Sequence, residues 1–448
     1  MSLPSEEAVR RPDSVNRGLL CVAGAIVLLH AVQVFSPLRL NHDSVRLLAM
    51  AWSAHTTGSY DARGVADQYP AGYPAMVRAL LATGLGRSFW LNALNFGWLM
   101  TSAAGCYWMA RRQFHQSRDR AVIGTLLPLL SWVTIKHAAI PLSDIPYLGI
   151  AMLSLICLQS FWLTPERLSW PAWLASLLLA LAAVQVRTIG ITLVATVLLS
   201  LALHPCGFGL ELDRRKLPNR RSLLVGLVAI GLFLGLLITM TRTVWFERQF
   251  LKPGSYFEQL LTHRGGATDG NTFGILRERL LEMTAVILNV PLRSPPLLAV
   301  LPVAIGGLAA MGWSAYRCRK THLPLILYGT SMAMVLAVWP FADARFLLPL
   351  VPIGSLLVCA AAPEARSVGS WPRWLMRIYV GAFALLGIAA LCFSLRLTFS
   401  GREMANRYSA GRFQLTYRHA FGLAPGASPE QMDADWLASL RHYEPRAR

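Results

Sequence analysis

The sequence predicts an all-α polytopic membrane protein, a bundle of about eleven transmembrane helices, and three observations carry that prediction. Hydrophobic residues make up 54% of the 448-residue chain and charged residues only 15%, where a soluble protein carries about a quarter charged. Apolar stretches of span length recur along the chain, separated by short polar segments. Basic residues outnumber acidic ones, 42 to 23, but they fall in short clusters between the apolar stretches. That pattern marks cytoplasmic loops and argues against a nucleic-acid-binding face.

The candidate spans lie near 18 to 35, 88 to 110, 121 to 136, 145 to 163, 172 to 186, 188 to 203, 222 to 241, 297 to 315, 323 to 339, 346 to 361 and 376 to 395. The first lacks a small-residue cleavage pattern and is expected to be retained. Residues 172 to 203 form one apolar run, too long for a single ordinary span and interrupted by Gln185 and Arg187. Two short helices meeting at a tight turn satisfy that run. Residues 1–17 are expected to be a cytoplasmic N-terminus, 18–395 the membrane domain and 396–448 a tail on the outer face.

With the N-terminus inside, basic residues are roughly twofold denser in the inner loops than in the outer segments. The alternation survives all spans only if 172 to 203 is split. The outer face then receives a first loop, 36–87, a short turn, 137–144, a turn at 185–188, a long loop, 242–296, and a turn at 341–345. In the first loop Leu47, Leu48, Ala51, Trp52 and His55 share a helical face, so a helix lying along the interface is expected just after Asp43. In the long loop residues 273–290 read as amphipathic, and HRGGATDGN at 263–271 is glycine-rich, as mobile covering loops often are.

Seven cysteines without CxxC or paired spacing indicate neither a disulfide framework nor a zinc site. Walker, GxGxxG, GxSxG and HExxH signatures are missing, which points away from nucleotide-driven chemistry. The lone DxD, Asp433-Ala434-Asp435, lies in the tail and is read as chance.

The candidate site is a set of charged residues at the outer span ends. Asp43 suits two roles, the N-cap of the interfacial helix and a base at the membrane surface. Asp144, in LSDIPY, sits at a helix start with Pro146 in the first turn, across a short turn from Lys136 and His137. Arg187 is costly inside an apolar helix, about 2.5 to 3.5 kcal/mol on insertion scales, and its fork suits a phosphate if the helix breaks there. Asp343 and Arg345, in WPFADARFLLPLVP, either pair only with each other or join the same outer cluster. Tyr69 and Tyr73, in QYPAGYP, read as interfacial belt aromatics or as substrate contacts.

The order of DSVRLLAMA, QYPAGYP, LSDIPY, VQVRTIG and DARFLLPLVP resembles the GT-C glycosyltransferases. The nearest groups are the protein O-mannosyltransferase-like and aminoarabinose-transferase-like families, which use polyprenyl-phosphate sugars. The resemblance covers roughly residues 18 to 360 and implies a GT-C bundle. By it, Asp43 matches the family's first-loop acid, Arg187 the arginine after its short span and Arg345 the arginine of its RYLLPxxP-like motif. Two departures stand out: Asp43-Ser44 where adjacent acids are often found, which counts against metal binding at that site without excluding a divalent metal, and Phe346 in place of a tyrosine, a mild change.

Together these readings predict an inverting glycosyltransferase. It would take a sugar from a polyprenyl-phosphate donor to a hydroxyl of a glycolipid, polysaccharide or protein, with no cofactor and no nucleic-acid partner. Asp43 is the expected catalytic residue; Asp144, Arg187, Arg345, Tyr69, Tyr73, Lys136 and His137 are the expected substrate contacts. The alternative is a lipid-linked-sugar transporter or flippase, against which the charges gather at one face and no inverted repeat is visible. The composition suits a multi-pass protein of a bacterial inner membrane.

Overall fold

The computed structural model describes residues 16–36, 39, 42–62, 65–66, 69–163, 169–203, 272–291, 297–339, 343–361 and 370–399. Helices occupy ten of the eleven stretches expected to span, and the remaining one, 222–241, lies outside the described residues. The 263–271 segment and all but the start of the 396–448 tail also lie outside them.

The helices are α1 (Arg17–Val32), α2 (His42–Thr56), α3 (Gly72–Ala82), α4 (Ser88–Trp108), α5 (Arg118–Leu130), α6 (Trp132–Ala138), α7 (Asp144–Trp162), α8 (Trp170–Val186) and α9 (Ile191–Leu203). After the undescribed segment come α10 (Thr272–Ile287), α11 (Leu297–Cys318), α12 (Leu323–Val338), α13 (Leu350–Ala361) and α14 (Ser370–Phe399). A two-residue antiparallel pair, Asp61–Ala62 with Val65–Ala66, is a small hairpin in the first loop. Three described helical segments are long and apolar enough to cross a membrane, Arg17–Phe35, Asp144–Trp162 and Trp374–Phe399, or four if α5 and α6 are one bent span.

α7 is the centre of the bundle. Its most apolar window is 78% buried, against 22% for α1 and α14, so α7 is wrapped by protein while the other two present most of their surface outward. It packs most extensively on α8 and α4. Small residues permit that closeness: a Cβ on Gly149 would stand 2.9 Å from the Trp98 carbonyl oxygen, and one on Gly105 would meet Ile156. Across the bundle a polar chain ties α1 to α14. Arg39 donates to the Ser394 hydroxyl at 2.8 Å and to Thr398 at 2.8 Å, Ser394 donates to Gln33 at 2.5 Å, and Gln33 reaches His30 at 3.3 Å. Buried away from water, these groups gain most by satisfying one another.

The 172–203 run divides as expected. α8 ends at Val186, Arg187 is extended (φ −153°, ψ 128°), a 3-10 turn covers Thr188–Gly190, and α9 returns alongside α8. Gly190 is required at that return, because a Cβ there would lie 2.6 Å from the Val184 nitrogen.

The expected straight helix over 121–136 is instead broken at Ser131, where α5 and α6 meet at 61°. The backbone groups freed by the bend find partners from elsewhere in the chain. His30 donates its Nε2 proton to the Leu129 carbonyl at 3.0 Å, and the Asn289 amide donates to the Leu130 carbonyl at 3.0 Å. Asn289 Oδ1 accepts the Trp132 N–H at 2.7 Å. A break inside an apolar layer is tolerated only when such groups are satisfied.

In the first loop the helix expected after Asp43 is α2. Its Leu47, Leu48 and Ala51 are buried in the core, Trp52 packs at its edge and His55 is exposed, so the apolar face turns inward onto protein. α3 packs against α2 and against the end of α8, where Gly72 approaches the Gln185 carbonyl so closely that a Cβ would stand 2.4 Å from it. That approach places the first loop beside the Arg187 turn.

Candidate active site

Four separated pieces of chain meet at one end of the bundle: the start of α2, the start of α7, the α8–α9 turn and the 3-10 turn Ala344–Leu347 before α13. Each is a helix terminus, where side chains leave the apolar layer and backbone groups need partners.

Asp43 lies in the first turn of α2, as its second residue. One oxygen accepts the Tyr69 hydroxyl proton at 2.5 Å and the other pairs with the Arg345 guanidinium. Asp43 thus sits at a helix start and also holds two tertiary partners. The two side chains are 16% and 14% exposed, shielded enough for the pair to matter and open enough for a ligand to reach it.

Arg345 also binds Asp343 through Nε at 3.1 Å, and Asp343 caps the 3-10 turn by accepting the Arg345 backbone N–H at 3.0 Å. Arg345 therefore pairs with Asp343 and also joins the cluster through Asp43, so the two do not pair only with each other. Burial works against the Arg345 charge, but the Asp43 and Asp343 carboxylates more than offset it and hold the guanidinium above its ordinary range.

Asp144 is the first residue of α7, with Ser143 at the cap, and its carboxylate pairs with Arg187. Its side chain is 2% exposed and that of Arg187 13%. The structure therefore gives Asp144 an arginine partner from the turn between α8 and α9, where the sequence suggested Lys136 and His137. Beneath this pair lie two fully buried tyrosines, Tyr147 and Tyr328, whose hydroxyls are 2.8 Å apart.

Phe346 joins the two ion pairs. The Arg187 guanidinium carbon is 5.2 Å from its ring centroid and that of Arg345 is 5.1 Å away, so one aromatic ring serves two cations. The aromatic ring alone meets this need, which explains why phenylalanine suffices at this position.

The remaining expected contacts divide. Tyr69 belongs to the site through Asp43, and Arg46 lies 5.1 Å over its ring. Tyr73 has no exposed surface and sits in the core, which corrects its reading as an interfacial belt residue. His137 is also buried; its Nδ1 proton goes to the Val133 carbonyl at 2.7 Å, which leaves Nε2 as an acceptor, and the charges of Asp343 and Arg345 reach it. Lys136 is exposed and lies 5.9 Å from the Trp132 ring. Sequence reading passed over Arg279 and Glu282 of α10, an ion pair i,i+3 on a helix packed against the Ala344–Leu347 turn. Their spacing within the amphipathic 273–290 stretch was the available signal. Among the described residues no three His, Cys, Asp or Glu side chains group as a metal site.

No family model matches the sequence, and no curated protein matches it. Among solved structures, the chain is similar to ArnT from Cupriavidus metallidurans bound to undecaprenyl phosphate. The TM-score is 0.55 at 14% identity, over 96% of this chain and 86% of that one. The same protein in the apo state gives a TM-score of 0.52 at 16% identity, over 95% and 85%. At such identity the likeness concerns the backbone, and it extends over nearly the whole chain. The chain has the fold of ArnT.

Proposed function

We propose that this protein is an inverting glycosyltransferase that moves a sugar from a polyprenyl-phosphate donor to an acceptor hydroxyl at the outer face of a membrane. The observation that carries the reading is the meeting of Asp43, Asp144, Arg187 and Arg345 around Phe346 at one end of an apolar bundle. The shared fold with a protein solved with undecaprenyl phosphate supports the donor class.

The resting site is charge-paired, and this shapes the chemistry. A donor phosphate competes for Arg345 and Arg187 as a bidentate anion, and in doing so it loosens Arg345 from Asp43. Asp43 then accepts the acceptor's hydroxyl proton while that oxygen attacks the anomeric carbon. The bond from that carbon to the phosphate oxygen breaks, and its electron pair leaves on the phosphate. Attack from the side opposite the phosphate inverts the anomeric centre. Base assistance contributes about a hundred- to ten-thousand-fold. Positioned cations on the growing phosphate charge contribute about a further hundred- to thousand-fold. Tyr69, bonded to one carboxylate oxygen of Asp43, orients the other, which Arg345 releases. Glycolipid, polysaccharide and protein hydroxyls are all admissible acceptors.

The test begins with the purified protein and the lipid-phosphate sugar that accompanies it. Mass spectrometry should identify a polyprenyl-phosphate glycoside, and adding membrane extract should consume it with formation of a new glycosidic bond and free polyprenyl phosphate. Movement of that lipid between leaflets of proteoliposomes with its glycosidic bond intact would refute the reading in favour of a flippase.

A further inference from the structure

We propose that Arg279 of α10 is a positioning residue for the two site guanidiniums, acting through Trp339 and Phe346. The proposal rests on the reading of Arg187 and Arg345 as the groups that receive the donor phosphate.

The contacts form one line. α12 ends at Val338, and Trp339 follows with extended backbone (φ −70°, ψ 129°), so its carbonyl leaves the helical ladder. Arg279 Nη2 donates to that carbonyl at 2.9 Å, while Nη1 pairs with Glu282 one turn along α10. Both side chains are nearly shut from solvent, at 10% and 12% exposure. The Trp339 ring meets the Phe346 ring edge-on, with centroids 6.2 Å apart at 68°. Phe346 in turn carries both guanidiniums.

A ring that holds two cations fixes where they stand. Each cation is drawn to the negative face and repelled by the other, so the tilt of the ring sets the opening between them. The Trp339 edge sets that tilt, and the bond from Arg279 holds Trp339 at the helix end.

α10 is itself anchored firmly enough to act as a reference. Beyond its last turn Asn289 takes a left-handed conformation (φ 57°), suited to an asparagine, and its amide binds the Trp132 N–H at 2.7 Å and the Leu130 and Phe383 carbonyls at 3.0 and 2.8 Å. The Trp132 indole donates to the Ala285 carbonyl at 3.0 Å, and the Tyr379 hydroxyl donates to that of Ile287 at 2.8 Å. This part of the long outer loop is a fixed wall beside the site.

Glu282 supplies a distinguishing readout. Burial pushes its carboxyl up to about 7, against the pull of Arg279, with Asp343 and Glu278 adding to the rise. Those three groups, with Arg345 beside Asp343, are the charges that α10 and the Ala344–Leu347 turn bring to it. α11 carries only Arg317, in its last turn, and α12 carries no charge. As pH falls through about 7 Glu282 becomes neutral, Arg279 loses its ionic partner, and its hold on Trp339 changes.

The experiment measures undecaprenyl phosphate binding and sugar transfer with the full chain in detergent. Arg279→Met should weaken undecaprenyl phosphate binding about tenfold and leave the acceptor KM unchanged. Arg279→Lys should recover part of the loss by restoring one donor, and it keeps the test valid if the Met variant fails to fold. Glu282→Gln should flatten the pH dependence of undecaprenyl phosphate binding near pH 7, which a purely structural role would leave intact. Wild-type binding by folded Arg279→Met, or an unchanged pH profile in Glu282→Gln, overturns the positioning role. Failure of the wild-type protein to bind undecaprenyl phosphate at any pH overturns the donor reading, and the positioning role with it.

Discussion

The Asp144–Arg187 pair offers a prediction whose size follows from burial. Asp144 is 2% exposed and Arg187 13%, so removing either partner strands a charge where water can hardly reach it. Breaking such a pair costs about 3–5 kcal/mol, while removing both charges together costs far less. The two single variants should also differ. Arg187→Met strands the deeper group, the Asp144 carboxylate, and forfeits about 0.5–2 kcal/mol of attraction to the Phe346 ring. Asp144→Asn leaves an arginine that still rests on that ring and still touches solvent, so it should be the milder change. Equilibrium unfolding in mixed micelles with graded SDS measures each variant and the double variant. The double variant should be more stable than the summed single losses predict, by about 2 kcal/mol or more. Additivity within about 0.5 kcal/mol would refute the pairing.

Two further outcomes follow from the same geometry. Phe346→Leu removes the ring shared by two guanidiniums and should weaken polyprenyl phosphate binding about tenfold, whereas Phe346→Tyr keeps the ring and should bind as the wild type does; calorimetric titration separates them. Gly72→Val places side-chain atoms where even a Cβ would stand 2.4 Å from the Gln185 carbonyl oxygen. It should cost about 1–3 kcal/mol of stability and displace α3 from the Arg187 turn, both visible as lower unfolding midpoints and lost transfer.

What the sequence disclosed depended on whether the cause was local. The break at Arg187 was legible because a guanidinium inside a 172–203 apolar run is costly unless the helix ends there, and the glycine needed for the return, Gly190, lies three residues on. The convergence of Asp43 with Arg345, about 300 residues apart, was legible only through sidedness, because alternating spans place both loops on one face. The break at Ser131 has a remote cause. His30 and Asn289 capture the carbonyls that the bend frees, and nothing within 121–136 announces them beyond Pro128. The partners of the acids were likewise hidden. Spacing put Asp43 and Asp144 at helix starts, where capping is the local expectation, and nothing local announced the tertiary arginines that pair with both carboxylates. Tyr73 shows the opposite error, since a tyrosine beside Pro74 in a polar loop gives no local sign that the loop folds back and buries it completely.

The central claim is that Asp43 takes the acceptor's proton once the donor phosphate has engaged Arg345. Single-turnover transfer from a polyprenyl-phosphate sugar by purified Asp43→Asn, compared with the wild-type protein, tests it most directly. The amide cannot accept that proton, so transfer should fall about a hundred- to ten-thousand-fold while the variant still folds and still binds polyprenyl phosphate. Near-wild-type transfer by a normally folded Asp43→Asn protein would contradict the account.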